Sequence, residues 1–431
     1  MSTIIVLFTR DLRLSDHPAL HAAVAEAERV VPLFVLDPAV LRVSARNRIA
    51  YLVEALADLR GLLRERGGDL VIRRGDTVAE TVRTVVETAA VAVHVSEDVS
   101  TLAATRTRRL AEAVGAEGAR LRTFPGVTVV PPRALRPEHG DHYRIFTPYL
   151  RAWESARWRA PLPAPERVAL PPLREVGALP GPDLAASGIG ALSPHRLRGG
   201  ITAARDRVRT WSAELARAGS RSEAPEHASR LGCHLRFGCV SPLEVALTVR
   251  DRPEGVAFLH RLARRDFHHQ VAWAFPRLNR VDYRPCRTRW RRDDSGFAAW
   301  CSGTTGIPIV DAGMRQLLRE GYLPGGLRTV VATYLTRVLR VHWKRGADHF
   351  HSLLVDGDVA DNYGNWQWAA GTGASRRPPC RFDPLRQARR QDPDGSYVRR
   401  HVPELRGLRG CQVHNPPVPR PGGYPPPLPE P

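Results

Sequence analysis

Five short apolar runs, rich in valine and isoleucine, punctuate the first third of the chain. They are Ile4 to Phe8 (IIVLF), 30–36 (VVPLFVL), 70–73 (LVIR), 91–95 (VAVHV) and 127–130 (VTVV). Their length is that of buried strands. Between them apolar side chains recur at helical spacing, as at Tyr51, Leu52, Ala55, Leu56, Leu59, Leu62 and Leu63. Strands alternating with helices predict a parallel sheet with helices on both faces. The pattern changes further on. Residues 160–200 are rich in proline and glycine and predict a connector. From about 203 the spacing is helical only, and Val330, Val331, Tyr334, Leu335, Val338 and Leu339 mark one apolar face of a helix expected over 328–343. After 405 the chain is proline-rich, ends in "PPPLPEP", and predicts an extended or frayed tail. There is no internal repeat. The expected organisation is an α/β domain over 1–133, a connector over 134–202, an all-α domain over 203–405 and a tail over 406–431.

Composition refines this outline. A length of 431 residues, 43% hydrophobic and 25% charged, suits a globular chain of two domains better than three. The Ile4–Phe8 run is followed at once by Arg10, Asp11 and Arg13. It is too short for a signal peptide or a membrane span, so a cytoplasmic protein without a membrane partner is expected. The six cysteines, at 233, 239, 286, 301, 380 and 411, form no Cys-x-x-Cys pair and suggest neither a zinc site nor a disulfide framework. No Gly-x-Gly-x-x-Gly or Gly-x-x-x-x-Gly-Lys run is present.

The net charge of +20 carries less than it first suggests. Lys344 is the single lysine among 64 basic residues and prolines number 37, which marks a GC-rich coding bias. The distribution says more. Residues 1–150 hold 20 basic and 18 acidic side chains, a net of +2, whereas the remaining 281 hold 44 and 26, a net of +18. A coding bias acts on both parts alike. The basic back half therefore points to a polyanionic partner, with a solvated arginine surface as the alternative.

The stretch "DGDVADNYGNWQWAAGTGA", Asp356 to Ala374, concentrates candidate chemistry. A calcium loop wants oxygen ligands at positions 1, 3 and 5, a glycine at 6 and a glutamate at 12. Counted from Asp356, those last three positions are Ala360, Asp361 and Gln367, so that reading fails. The acids remain open as helix caps or as a catalytic pair. The tryptophans remain open as core or as stacking groups.

This stretch resembles the flavin-pocket signature of the photolyase/cryptochrome family. The resemblance extends along nearly the whole chain, through "FTRDLRLSDHPAL" at 8–20, "YRIFTPYLRAW" at 143–153, "SRLGCHLRFGCVSP" at 229–242 and "FAAWCSGTTGIPIVDAGMRQL" at 297–317. It implies an N-terminal α/β antenna domain and an all-helical C-terminal domain that binds FAD. An antenna chromophore of folate or deazaflavin type is implied as well, its identity left open. By the same resemblance Asp356 pairs with Arg328 beside the flavin ring, and Gly357 and Asp358 line the flavin. Asn362 faces the ring's redox-active nitrogen. Ser229, Arg230, Leu231 and Gly232 fall on the diphosphate run, and Phe258 and Arg265 on further cofactor positions. Trp366, Trp343 and Trp290 fall on an electron relay of three indoles. No metal is implied.

The chain also departs from the family pattern. Ala228 and Gly232 stand where hydroxyl residues are usual around the diphosphate run. In "RLARRDFHH", Arg261 and Arg264 replace a glutamate and a tryptophan of the usual dimer-contacting helix. In "PGGLRT", Pro324, Gly325 and Gly326 replace polar contacts and Thr329 replaces a methionine, while Arg328 is kept. Arg261 and Arg264 become candidate DNA contacts, since guanidinium groups stack on bases and bind phosphate. Three functions follow as expectations. The first is a monomeric photolyase that repairs pyrimidine dimers in damaged duplex DNA under blue light. The others are a cryptochrome-like photoreceptor, and a DNA-binding flavoprotein without repair.

Overall fold

The computed structural model describes residues 2–218, 228–285, 288–374 and 383–429. Cys286 and Cys380 lie outside them. Among the described residues no helix is long and apolar enough to cross a membrane.

Five parallel strands form one sheet in the order β3-β2-β1-β4-β5: β1 Thr3–Leu7, β2 Arg29–Leu36, β3 Val71–Arg74, β4 Ala92–Ser96 and β5 Arg120–Phe124. The period-2 alternation of strands divides β1 between two cores. Ile5 and Leu7 join Val31, Leu33, Val93 and Val95 beneath the helices Thr77–Thr88 and Thr101–Ala116. Ile4, Val6 and Phe8 face the other way, into a larger core that runs through Tyr51 and Trp153 to the helical region. Four of the five expected strands are found.

The expected strand at 127–130 is not. Its residues are buried but irregular, and the true fifth strand is β5, "RLRTF", an edge strand whose exposed arginines hide it from a search for apolar runs. The buried amides of Val129 and Val130 have no ladder to join, and both donate to the Asp266 carboxylate at 3.0 Å. This stretch is the passage between the sheet and the helices.

The connector is ordered and tied down. Val168 N–H bonds to Arg66, and the carbonyls of Ala169 and Val176 accept from Val30 and Ile72. Leu170, Leu173 and Val176 pack on the outer core of the sheet. The Arg46–Arg64 helix joins the two regions, because Asn47 and Arg48 both reach carbonyls of Leu353 or Leu354 across the molecule.

Two further expectations need correction. The apolar face at 330–339 is buried as expected, apart from half-buried Val338, but the helix does not run to 343. It covers Gly325–Thr333, widens to a π-turn over Tyr334–Val338, and stops where Arg340 adopts a left-handed φ of 53°. A new helix begins at Trp343. The tail is neither frayed nor wholly extended, since short 3-10 turns form at Gly410–His414 and Pro421–Gly423. Val413 and Tyr424 are buried, Leu428 N–H bonds to Thr305, and the Tyr424 hydroxyl donates to Asp311 at 2.5 Å.

Candidate flavin-binding site

The Val359–Ala370 helix organises the site. Asp358 caps its N-terminus by accepting from Asp361 N–H at 3.0 Å, and Gly371 closes it in a left-handed conformation, φ 82°. The helix buries Asn362, Tyr363, Trp366 and Gln367. The three acids of this stretch have three different partners. Asp356 pairs with Arg328 at 2.6 Å. Asp361 pairs with His268 at 2.9 Å. Asp358 pairs with Arg10, from just after β1, which also holds Asp98 at 3.0 Å. His269 approaches Asp358 at 3.6 Å. Burial works against the Asp358 charge, yet Arg10, then His269 and Arg236, hold its carboxyl well below the usual range.

Asp356 is the acid left with spare capacity. Its Oδ2 bonds to Arg328, and its Oδ1 is buried without a partner. Gly232 makes room beside it, since a Cβ there would lie 2.4 Å from Asp356 Oδ2. Arg328 is anchored a second time by its Nε on the Leu323 carbonyl at 2.7 Å. Tyr322 joins the two runs, with Arg230 and Arg328 over its ring at 5.1 and 5.8 Å. Arg230 has a left-handed φ of 56° and pairs with Glu320 at 2.6 Å. Leu231 is fully buried, and Ser229 Oγ accepts from its N–H at 3.4 Å.

The other expected cofactor positions separate into two places. Phe258 packs on Trp211, 4.4 Å between ring centres, and with Ser229 and Arg261 lines a recess at one end of the site. Gly357, Asp358 and Arg265 lie at the seam with the sheet. There the Gly357 carbonyl accepts from Arg236 at 3.2 Å, and Arg265 donates to the Val127 carbonyl at 2.7 Å. A Cβ at Gly357 would meet Arg48 Nη1 at 2.5 Å. Arg48, Arg236 and Arg265 are thus cations whose hydrogen bonds end on backbone carbonyls. Burial first, and then the neighbouring guanidinium groups, brings Arg48 down to about 9 and Arg236 to about 10. Arg265 also carries a buried nitrogen without a partner. Guanidinium groups bonded to backbone carbonyls and a bare carboxylate oxygen are the donor and acceptor set that a flavin nucleotide requires, with its anionic phosphates and the alternating N–H and C=O of its ring edge. The residues fit FAD.

Asn362 donates its amide to the Ala347 carbonyl at 3.0 Å, which fixes its orientation. Trp366, one turn on, touches Trp300 and Phe350 edge to face at 5.9 and 5.1 Å. Among the described residues no direct ring contact joins it to Trp343. Instead Tyr363 meets Trp343 at 6.4 Å. Trp343 is fully buried and donates its indole N–H to Asp282 at 2.7 Å, while Trp290 is half-buried. Trp366 and Trp343 are thus both buried, and Trp290 alone of the three is partly open to solvent.

Of the positions that depart from the family pattern, Arg264 lies over the Phe146 ring at 4.0 Å, and Arg261 is exposed. Gly326 is bare because the Gln391 amide occupies the space, 2.4 Å from where a Cβ would sit. Sequence reasoning missed the ion pairs of Asp358 with Arg10 and His269 and of Arg10 with Asp98, and the carbonyl-bound cations Arg48 and Arg236. It also missed Trp368, an indole of the same helix that is 38% exposed. Trp368 was in plain view in "WQW", but only its exposure separates it from Trp366.

An α/β sheet domain joined to a helical FAD site is the architecture of light-driven flavoproteins that act on DNA or signal. The chain matches the family model for DNA photolyase over residues 4–166 and that for the FAD binding domain of DNA photolyase over 258–424. It is 43% identical to a deoxyribodipyrimidine photo-lyase of Streptomyces griseus, over 96% of this chain and 92% of that one. It is 33% identical to a cryptochrome DASH of Gloeobacter violaceus, over 96% and 88%. Two solved structures are alike: a class III photolyase from Agrobacterium tumefaciens (TM-score 0.88, 29% identity, 98% of this chain and 91% of that one) and an archaeal photolyase from Sulfolobus tokodaii holding two FAD molecules (TM-score 0.86, 27%, 99% and 96%). The chain belongs to the DNA photolyase/cryptochrome family, as the sequence motifs implied.

Proposed function

We propose that this protein is a blue-light-dependent deoxyribodipyrimidine photo-lyase that acts on damaged duplex DNA as a cytoplasmic monomer. The observation that carries the reading is the part-buried Asp356–Arg328 pair with its bare, buried Oδ1, facing the Arg230–Gly232 run. When bound, FAD supplies light absorption and one-electron transfer. The residues supply the rest. Asp356 and Arg328 hold the ring edge, and Asn362 presents a fixed amide to it. Arg48, Arg236 and Arg265 offset anionic charge. Trp366, Trp343 and Trp290 pass an electron inwards from the surface. Arg261, Arg264 and exposed Trp368 meet the DNA, through phosphate and base stacking. The likeness to the Streptomyces photo-lyase supports this reading over signalling. The domain division 1–133, 134–202, 203–405 belongs to the same proposal, supported by where the sheet ends and the helices begin. The ordered tail is counted with the helical part.

The replacement of dimer-contacting groups by Arg261, Arg264 and the Pro324–Gly326 run favours a second reading, a cryptochrome-like photoreceptor. One assay separates them. The protein is mixed with DNA bearing cyclobutane dimers and illuminated with blue light, and the remaining dimers are counted. Light-dependent loss of dimers is expected. Unchanged dimers with a flavin that is photoreduced would favour the photoreceptor.

A further inference from the structure

His342 lies outside every motif that carries the family resemblance. The structure sets it between the two outer indoles of the proposed relay. Its ring is 5.6 Å from that of Trp343, with planes 29° apart, and 5.1 Å from that of Trp290, at 58°. Its Nδ1 accepts from Lys344 N–H at 3.1 Å, which caps the Trp343–Leu353 helix and fixes the ring. Trp290 is brought to it by the backbone: Arg291 N–H bonds to the Arg340 carbonyl at 2.8 Å, and Arg291 bridges Val341. The helix break at Arg340 thus delivers all three rings to one place.

We propose that His342 is a positioning residue of the relay: its neutral ring fills the space an electron must cross between Trp290 and Trp343, and its protonation keeps the hole from moving outward onto either of them. The proposal rests on the relay reading above. In this step one electron leaves the Trp290 indole and fills the hole on Trp343, which returns to a neutral indole. Trp290 is left as a cation radical and releases its indole proton to solvent, to which it is partly open. The oxidant at the head of the relay is light-excited oxidised flavin. His342 neither gains nor loses an electron. A protonated ring there would raise the energy of a hole on either outer indole relative to a hole on Trp366, and so hold the hole back.

The charged groups facing His342 are Asp282, from the segment before Trp290, and Lys344 and Asp348 from its own helix. Lys344 and Asp348 are paired with each other, and Asp282 is engaged by Trp343. Arg289, Arg291 and Arg340 alongside are exposed. Burial first, with Lys344, holds the imidazole below its ordinary range against Asp282 and Asp348. The ring is neutral at neutral pH.

The test compares wild type, His342→Asn and Trp290→Phe, each with bound FAD measured beforehand. Asparagine keeps a side-chain acceptor for the Lys344 N–H but has no ring and no titration. Flavin photoreduction by an external thiol is followed against pH. Wild type should slow by about tenfold on the acid side of the ordinary imidazole range, the order expected for a charge beside a charge at ring contact in a part-buried site. His342→Asn should be slower than wild type at neutral pH and should lack the acid fall. A second readout needs no flavin: in the apoprotein, indole fluorescence should drop with acid as imidazolium quenches Trp290, and both variants should show a smaller drop. A rate and pH profile of His342→Asn that superimpose on wild type, with Trp290→Phe still slow, overturn the proposal alone. Trp290→Phe as fast as wild type overturns the relay reading beneath it.

Discussion

Asp356, Asp358 and Trp366 sit within eleven residues of each other and do three different things. Asp356 serves the ligand. Asp356→Ala would leave Arg328 largely buried without its carboxylate, at a cost of about 3 kcal/mol, and FAD uptake measured by absorbance should weaken sharply. Asp358 serves the seam between the two regions. Its carboxyl is depressed when folded, so its contribution to stability is fully present above the unfolded carboxylate range. That contribution is lost as pH falls through the folded value. Asp358→Asn should therefore lower the urea midpoint at pH 7, and the gap to wild type should begin to close only below about pH 4. Trp366 serves electron transfer. Trp366→Phe keeps a ring against Trp300 and Phe350 but is hard to oxidise, so FAD should stay bound while photoreduction by thiol is suppressed. Trp290→Phe should suppress it less, because a hole can still reach Trp343.

At the scale of elements, close approaches decide which helices can meet. The Trp343–Leu353 helix lies against the Val359–Ala370 helix because Gly346 has no Cβ, which would fall 2.3 Å from the Trp366 ring. Gly346→Ala should displace that indole and lower both stability and photoreduction, read by thermal melting and by flavin bleaching. The tail behaves as an element too. Buried Asp311 accepts from Thr305, Gly306 and the Tyr424 hydroxyl. Tyr424→Phe removes one hydrogen bond to a carboxylate and should cost about 1.5–3 kcal/mol in chemical unfolding. A wild-type midpoint in that variant would return the tail to the frayed state its proline content suggested. Its composition was legible in the sequence. What was not legible was that Val413 and Tyr424 find pockets on the helices.

For the whole molecule the decisive property is the charge excess of residues 151–431, a net of +18 against +2 in the first 150. Binding to duplex DNA should fall steeply as salt rises, because each phosphate neutralised releases counterions. Arg264→Ala should weaken binding more than removal of an exposed arginine such as Arg108 in the first region. Trp368→Ala should cost about 1–3 kcal/mol on single-stranded or dimer-containing DNA, the usual worth of one stacked base. Equal and negligible effects of Arg264→Ala and Arg108→Ala, measured by fluorescence anisotropy at low salt, would make the basic half a solvated surface.

The sequence by itself determined the alternation of strands and helices, the two-part architecture and the family, because these rest on local periodicity and on ordered motifs. It also placed Asp356 with Arg328, a pairing the structure makes at 2.6 Å. It misread the run at 127–130, where apolar residues are buried without a strand and Asp266 satisfies the amides. It missed β5, whose alternation carries arginine on an exposed edge. Only the tertiary structure decided which charges are buried and with whom. Arg10 and Asp358 are 348 residues apart in the chain, and no local pattern links them. Only the tertiary structure, likewise, set His342 between Trp290 and Trp343. That placement depends on a helix that breaks at Arg340 and on a backbone bridge across 50 residues of sequence. Periodicity reports which face of an element is apolar. Partnership between distant side chains is settled by how the elements pack.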